Sequence, residues 1–494
     1  MLRQGWILRR RPESGTRFGN WKPGNWNSFR LDKGEITMAE TKNTGTVKIP
    51  KAVKRLFEYF KKLGEEDTPF DPVFQRIQQE YSDLGPKEKE ILFTELNNRL
   101  EIQKEDLIPL LKEMVETDEE GAPWALHLQR LRKRVQSPRL AIFQKVARNP
   151  GGIRFLLDFR EDLMNSRRSG EADVTALDTD LAILLEMLFQ EGFLYLEEIT
   201  LDSPYRQIEI IKDRDMVHPM TSLEEMGQRL GRDRRCFALY HRLLPLEPIV
   251  FIEVALAQGL VRRISDIVEP KDDAGKRKNV DTAIFYSINN TQNGLAGLGL
   301  GKMLIVRVVD FLRGENERIK NFATLSPLPG FWDRYLRPIL QGDDESFFLK
   351  QEDIPSYFSK KSRAKILEAG GFSKEDTERF CEALIKVLSG DQWTKDEKLV
   401  KHLQSPLIKI AYHYITQEKN LKGKPLNPVA GFHLGNGATV SEKYINFLAN
   451  TSPKGLRESC GIMVNYIYTS NWLTQIRRSL RWVERFEIKS LFSR

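Results

Sequence analysis

The chain has 494 residues, 40% hydrophobic, 30% charged and 10% aromatic, enough at ~150 residues per domain for two or three well-filled domains. No apolar run approaches the ~20 residues of a membrane-spanning helix; the longest candidate, Leu181 to Leu196, is broken by Glu186, Gln190, Glu191 and Gly192. Of the net charge of +8, the first 37 residues carry +5 (eight basic, three acidic), so the folded body lacks the positive concentration of a nucleic-acid-binding protein.

Residues 1–45 read as a disordered basic tail. An Arg-rich start can be a mitochondrial transit peptide, but Glu13 interrupts it and no amphipathic stripe is visible; Met38 is a second plausible start. Residues 46–190 read as a helical bundle. Leu92, Phe93, Leu96 and Leu100 repeat at helical spacing, as do Leu126 and Leu131. Pro86 precedes a charged first turn, and Ile153, Phe155, Leu156, Phe159 and Leu163 follow the turn at 149–152.

Residues 191–494 change texture. β-branched and aromatic runs at 249–254, 283–288, 322–325 and 462–468 predict strands, and Ile305, Val308, Val309 and Leu312 lie on one face of a helix starting near Lys302. The fold class is therefore α+β: an all-helical N-terminal bundle followed by a mixed domain. Cys236, Cys381 and Cys460 form no C-x-x-C pair and the six histidines show no ligand spacing, which predicts a reduced compartment and no metal site.

Three segments could carry chemistry. Tyr286 to Arg313 runs strand, Gly-rich loop, helix, the order that lets backbone N–H groups and a helix N-terminus meet an anion; Gly297, Gly299 and Gly301 alternate with Leu298 and Leu300, and Lys302 adds a charge. A Walker A loop fails at Ala296 and Met303, and a dinucleotide fingerprint fails at Lys302. Tight packing is the plainer reading of such a loop. Leu325 to Phe331 places Ser326 between rigid prolines, with a turn-capping hydroxyl as the alternative and no G-x-S-x-G around it. Phe432 to Ala438 sets His433 at an expected strand-to-turn junction, where imidazole could move a proton or serve only as a structural hydrogen-bonding group.

Together, His218-Pro219-Met220, Arg234-Arg235-Cys236, Thr282 to Ser287, the Gly-rich loop, Leu325 to Phe331, Leu426 to Ala430, Phe432 to Ala438 and Cys460 to Tyr468 resemble the malonyl-CoA decarboxylase family. The resemblance implies an acetyltransferase-like (GNAT) catalytic domain, a helical domain used in oligomer contacts, and a homo-oligomer, a tetramer. It implies malonyl-CoA as substrate, with no cofactor and no nucleic-acid partner. The family's serine and histidine fall on Ser326 and His433, with Ser287, Tyr468 and Asn436 in a supporting network and the coenzyme at Ala296 to Lys302. Two positions depart: Ala296 stands where the family has Gln, and Gly299 where its animal members have Glu.

The implied reaction releases carbon dioxide and leaves a thioester enolate. Ser326 would orient the malonyl group and His433 would protonate the carbon. An acyl-CoA N-acyltransferase and a non-catalytic coenzyme A-sensing protein are the alternatives. The expected location is the cytoplasm, since neither terminus reads as an address (the chain ends Phe492-Ser493-Arg494, not S-K-L), with the mitochondrial matrix as the alternative.

Overall fold

A computed structural model describes residues 49–469 except Glu66, 117–121, 170–172, Thr221, Arg232, 269–278 and Lys422. The described residues all belong to one compact unit that begins at Ile49. The predicted tail, both candidate starts and the C-terminal tripeptide lie outside the described residues.

Eight helices come first: α1 (Lys51–Gly64), α2 (Phe70–Ser82), α3 (Pro86–Arg99), α4 (Lys104–Glu116), α5 (Ala122–Arg134), α6 (Pro138–Ala147), α7 (Gly152–Ser169) and α8 (Thr175–Leu188). The predicted apolar stripes supply their core. Phe159 of α7 sits at its centre, 5.0 Å from the ring of Phe93, 5.3 Å from Tyr81 and 5.8 Å from Phe143. Pro86 opens α3 as expected, and the Glu88 carboxylate accepts from Gly85 N at 3.1 Å, answering one of the amides left over at a helix start. The buried Arg139 is neutralised by Glu101 and Asp180, which is what makes a buried guanidinium tolerable.

The mixed region follows. Its first part is β1 (Leu194–Ile199), α9 (Tyr205–Arg214), α10 (Leu223–Gln228), β2 (Arg234–His241), β3 (Leu244–Ala257), α11 (Ser265–Val268), β4 (Thr282–Asn290) and α12 (Leu300–Glu315). Then come β5 (Asn321–Thr324), β6 (Ser326–Pro327), α13 (Arg337–Leu340), α14 (Lys360–Ala369), α15 (Phe380–Leu388) and α16 (Glu397–Thr416). The series ends with α17 (Pro428–Gly435), β7 (Ile445–Asn446), α18 (Pro453–Ser459), β8 (Met463–Val464) and β9 (Ile467–Tyr468). One sheet has the order β1-β2-β3-β4-β5-β9 and a second β6-β8-β7. In the larger sheet the neighbours are antiparallel except β4 and β5, which α12 connects as a parallel crossover. This is the α+β architecture expected, and one apolar core runs through both regions.

Two expectations need correction. The run 462–468 is not one strand: β8 joins the small sheet and β9 the large one. Asn465 between them is fully buried and donates to Val261 O and Thr324 O, so it anchors the crossing point. His433 is not at a strand end but in α17. Asn427 caps that helix by accepting from Ala430 N at 2.8 Å and Pro428 occupies its first turn; Gly431 and Gly435 mask the helical signal.

Candidate active site

The site arises where the two parallel strands part. β4 and β5 run in register from Thr282↔Asn321 to Phe285↔Thr324, and then the chain leaves β5 to form β6 in the other sheet while β4 continues beside β3. A bulge at the same level re-aims β4, since Glu253 pairs with Ser287 but Val254 with Phe285, leaving Tyr286 as the extra residue. The opening is a cavity of about 280 Å3 lined by Tyr286, Ser287, Gly301, Ser326, Val429 and His433 among others. Such concave, mainly apolar space with a few convergent polar groups is what a small acyl ligand needs.

Ser326 and His433, 107 residues apart in the chain, meet there with Oγ 3.0 Å from Nε2. The Ser326 hydroxyl donates to Thr324 Oγ1 at 2.9 Å, and Thr324 in turn donates to Val464 O. A hydroxyl has one proton to give, so His433 Nε2 must donate to Ser326 Oγ. Burial pushes the His433 pKa down to about 3, so the ring is neutral. Nδ1 is therefore an acceptor, and the Tyr468 hydroxyl, 2.9 Å away, donates to it. The ring is clamped by Tyr466, stacked at 4.7 Å. Hydrogen bonds thus run in one direction from Tyr468 through His433, Ser326 and Thr324 to a carbonyl, every member neutral.

The Gly-rich loop reaches the same cavity through one residue. Gly301, in the first turn of α12, lines it, and a Cβ there would meet Phe432 Cζ at 2.9 Å. Gly297 and Gly299 have φ of 89° and 71°, the left-handed region that favours glycine, and Gly299 precedes a helix that starts at Leu300, two residues earlier than expected. Leu298 and Leu300 turn inward onto the core; Ala296 and Lys302 are not part of the cavity wall. The loop is held from behind by α7, whose Arg160 donates to Gly294 O at 2.6 Å and to Ala296 O at 3.4 Å. Of the leading amides of α12, that of Lys302 is taken by Gly299 O at 3.1 Å, which leaves those of Leu300 and Gly301 to meet an anion.

The supporting residues divide. Ser287 lines the cavity but belongs to a different network: its hydroxyl donates to Asp215 Oδ1 at 2.9 Å and not to Ser326 or His433. Asn436 follows α17 and caps it through its backbone N–H to Phe432 O; it is not part of the cavity wall. Sequence reasoning missed Thr324, Tyr466, Arg160 and Asp215. The only signal for Asp215 was its place just before the distinctive His218-Pro219-Met220. Among the described residues no group of three or more His, Cys, Asp or Glu is placed to hold a metal ion.

The chain was compared with known proteins. The malonyl-CoA decarboxylase C-terminal domain matches residues 192–482 and the N-terminal domain of the same family residues 88–189. A protein of Anser anser anser named malonyl-CoA decarboxylase, mitochondrial, is 38% identical over 66% of this chain and 63% of its own length; the Rattus norvegicus protein of that name is 35% identical over 66% and 64%. The match thus spans less than two thirds of these relatives. The crystal structure of malonyl-CoA decarboxylase from Agrobacterium vitis superposes with a TM-score of 0.70 at 29% identity, covering 84% of this chain and 93% of that one. Two adjoining domain matches covering both the helices and the sheet, with the serine and histidine facing one cavity, lead to one conclusion: the chain belongs to the malonyl-CoA decarboxylase family.

Proposed function

We propose that the protein decarboxylates malonyl-CoA to acetyl-CoA and carbon dioxide. The observation that carries this reading is the meeting of Ser326 and His433 at 3.0 Å in a cavity that the first turn of α12 also lines. Loss of carbon dioxide moves the electron pair of the breaking C–C bond onto the thioester, and the barrier follows the charge that appears on its oxygen. The α12 amides are donors at hand, and the Ser326 hydroxyl becomes one when its proton turns from its neutral partner Thr324 to the ligand. Ser326 then orients the malonyl group and His433 supplies a proton to the enolate carbon.

Neutrality of His433 shapes that last step. The ring has no extra proton, so the acid is its Nε2–H. An enolate carbon is a stronger base than an imidazolate, and the neutral N–H suffices. The Tyr468 hydroxyl at Nδ1 supports the ring as it gives up the proton, which solvent restores after the products leave. Ser326 has no base positioned to take its proton, because Nε2 already donates to it, which favours orientation over proton removal as its role.

Purified protein given malonyl-CoA without any amine acceptor should release carbon dioxide and acetyl-CoA. Unchanged malonyl-CoA, or acyl transfer only when an amine is added, would overturn the reading. The homo-oligomer, a tetramer by family resemblance, has an apolar surface to use in Val115 of α4 and Trp124 of α5, both exposed. The word mitochondrial in the relatives' names favours the matrix over the cytoplasm.

A further inference from the structure

Behind Ser287 in the cavity wall lies a buried charged cluster that the chemistry above does not use. Asp215 is its hub. Oδ1 accepts from Val217 N and His218 N at 3.0 Å each, and from Ser287 Oγ and Asn289 Nδ2 at 2.9 Å each. Oδ2 accepts from Arg229 Nη1 at 3.2 Å. Asn289 also donates to Ser287 Oγ at 2.7 Å, and its orientation is set because its own Oδ1 accepts from Met216 N at 3.1 Å.

These directions decide what Ser287 can do. A hydroxyl has one proton and two lone pairs. The proton goes to Asp215, one lone pair takes Asn289, and one lone pair is left on a residue that lines the cavity. From the cavity, Ser287 is a pure acceptor. The malonyl end of the ligand offers only acceptors, a thioester carbonyl and a carboxylate, and neither can bond to Ser287. The nearest donor on a coenzyme A thioester is the amide N–H of the arm closest to sulfur. We propose that Ser287, fixed by the positioning residue Asp215, accepts that N–H and so sets how deeply the acyl group enters. The inference rests on the malonyl-CoA reading for the identity of the arm.

The experiment pairs acetyl-CoA with an analogue in which an ester oxygen replaces that N–H, and likewise for malonyl-CoA. In the unmodified protein acetyl-CoA should bind about 5–10-fold more tightly than its ester analogue, the worth of one ordinary hydrogen bond. Ser287→Ala should lose that preference and raise KM for malonyl-CoA. Asp215→Ala should lose it too, and adding Ser287→Ala should remove nothing more. A preference that survives in Ser287→Ala would overturn the proposal. Thermal melts report folding; Ser287→Ala lacks only one hydroxyl and decides the matter by itself if Asp215→Ala does not fold. Binding of the acetyl pair needs no turnover, so a protein that leaves malonyl-CoA intact would sink the proposed function and still answer for Ser287.

Discussion

The two polar networks that meet the cavity are built on opposite plans. On one side Tyr468, His433, Ser326 and Thr324 form a one-way line of neutral groups. On the other, Asp215 and Arg229 are a buried ion pair, side chains 0% and 5% exposed, with donors closing on the carboxylate from three segments of chain. The neutral line can shift protons without parting charges in an apolar site, where separation is expensive. The charged cluster cannot shift without leaving an ion uncompensated. One side is suited to chemistry and the other to holding still.

The sharpest test of that contrast removes one member from each. His433→Ala should lower turnover roughly 10²–10³-fold, the scale seen when a well-aimed donor or acid is deleted, with little change in thermal midpoint. Tyr468→Phe, which leaves Nδ1 without its donor, should follow in the same direction. Asp215→Ala should instead show in stability, since it takes from Arg229 its fully buried carboxylate partner and leaves the donors of Val217, His218, Ser287 and Asn289 unmet; the loss expected in urea unfolding is about 3–5 kcal/mol. If His433→Ala unfolds the protein while Asp215→Ala leaves the unfolding midpoint unchanged, the division is wrong.

Some of this could be read from the chain alone. The loop before α12 was legible because left-handed positions favour glycine and because strand, loop and helix follow one another locally. The helical region was legible for the same reason: Leu92, Phe93 and Leu96 declare a face within two turns. Ser326 and His433 were chosen through family resemblance, not spacing, and the helix around His433 was misread because two glycines hide its period. Asp215 was out of reach. It meets Ser287 across 72 residues of sequence, and an aspartate before His-Pro looks like any loop residue until β4 is laid beside it.

Histidine titration gives a finer test. Burial holds the pKa of His433 at about 3 and that of His218 at about 4, both below the usual 6.5. A base depressed on folding contributes stability that is full above its unfolded pKa and is lost as pH falls toward the folded one. From pH 6.5 down to about 4 the unfolded chain therefore gains two protons the native state refuses, and stability should fall by a few kcal/mol. For the same reason kcat should show no limb near pH 6.5 that disappears in His433→Gln. A limb of that kind would mean that imidazolium is the acid and that the line of groups is not neutral.

The smallest effect concerns Glu253, which sits in β3 with both oxygens buried and without a hydrogen-bond partner among the described residues; Arg229 Nη1 is 3.6 Å from Oε2. Burial first, and then the neighbouring charge of Asp215, raise its pKa well above the usual carboxylate value, so that it is held as the neutral acid. The sign is opposite to that of the histidines. A carboxyl raised on folding is fully compatible with the native state below its unfolded pKa, and it withdraws stability as pH rises toward the folded one. Glu253→Gln keeps the shape of the neutral acid and cannot ionise. At pH 4.5 it should match wild type within roughly 1 kcal/mol. Above that it should gain on wild type by up to about 1.4 kcal/mol per pH unit until the folded pKa is reached. Urea midpoints measured at several pH values decide it. A constant difference would mean that Glu253 ionises alike in both states, and Arg229 would then face two buried anions besides the partly exposed Glu225, leaving Asp215 a less secure anchor for Ser287.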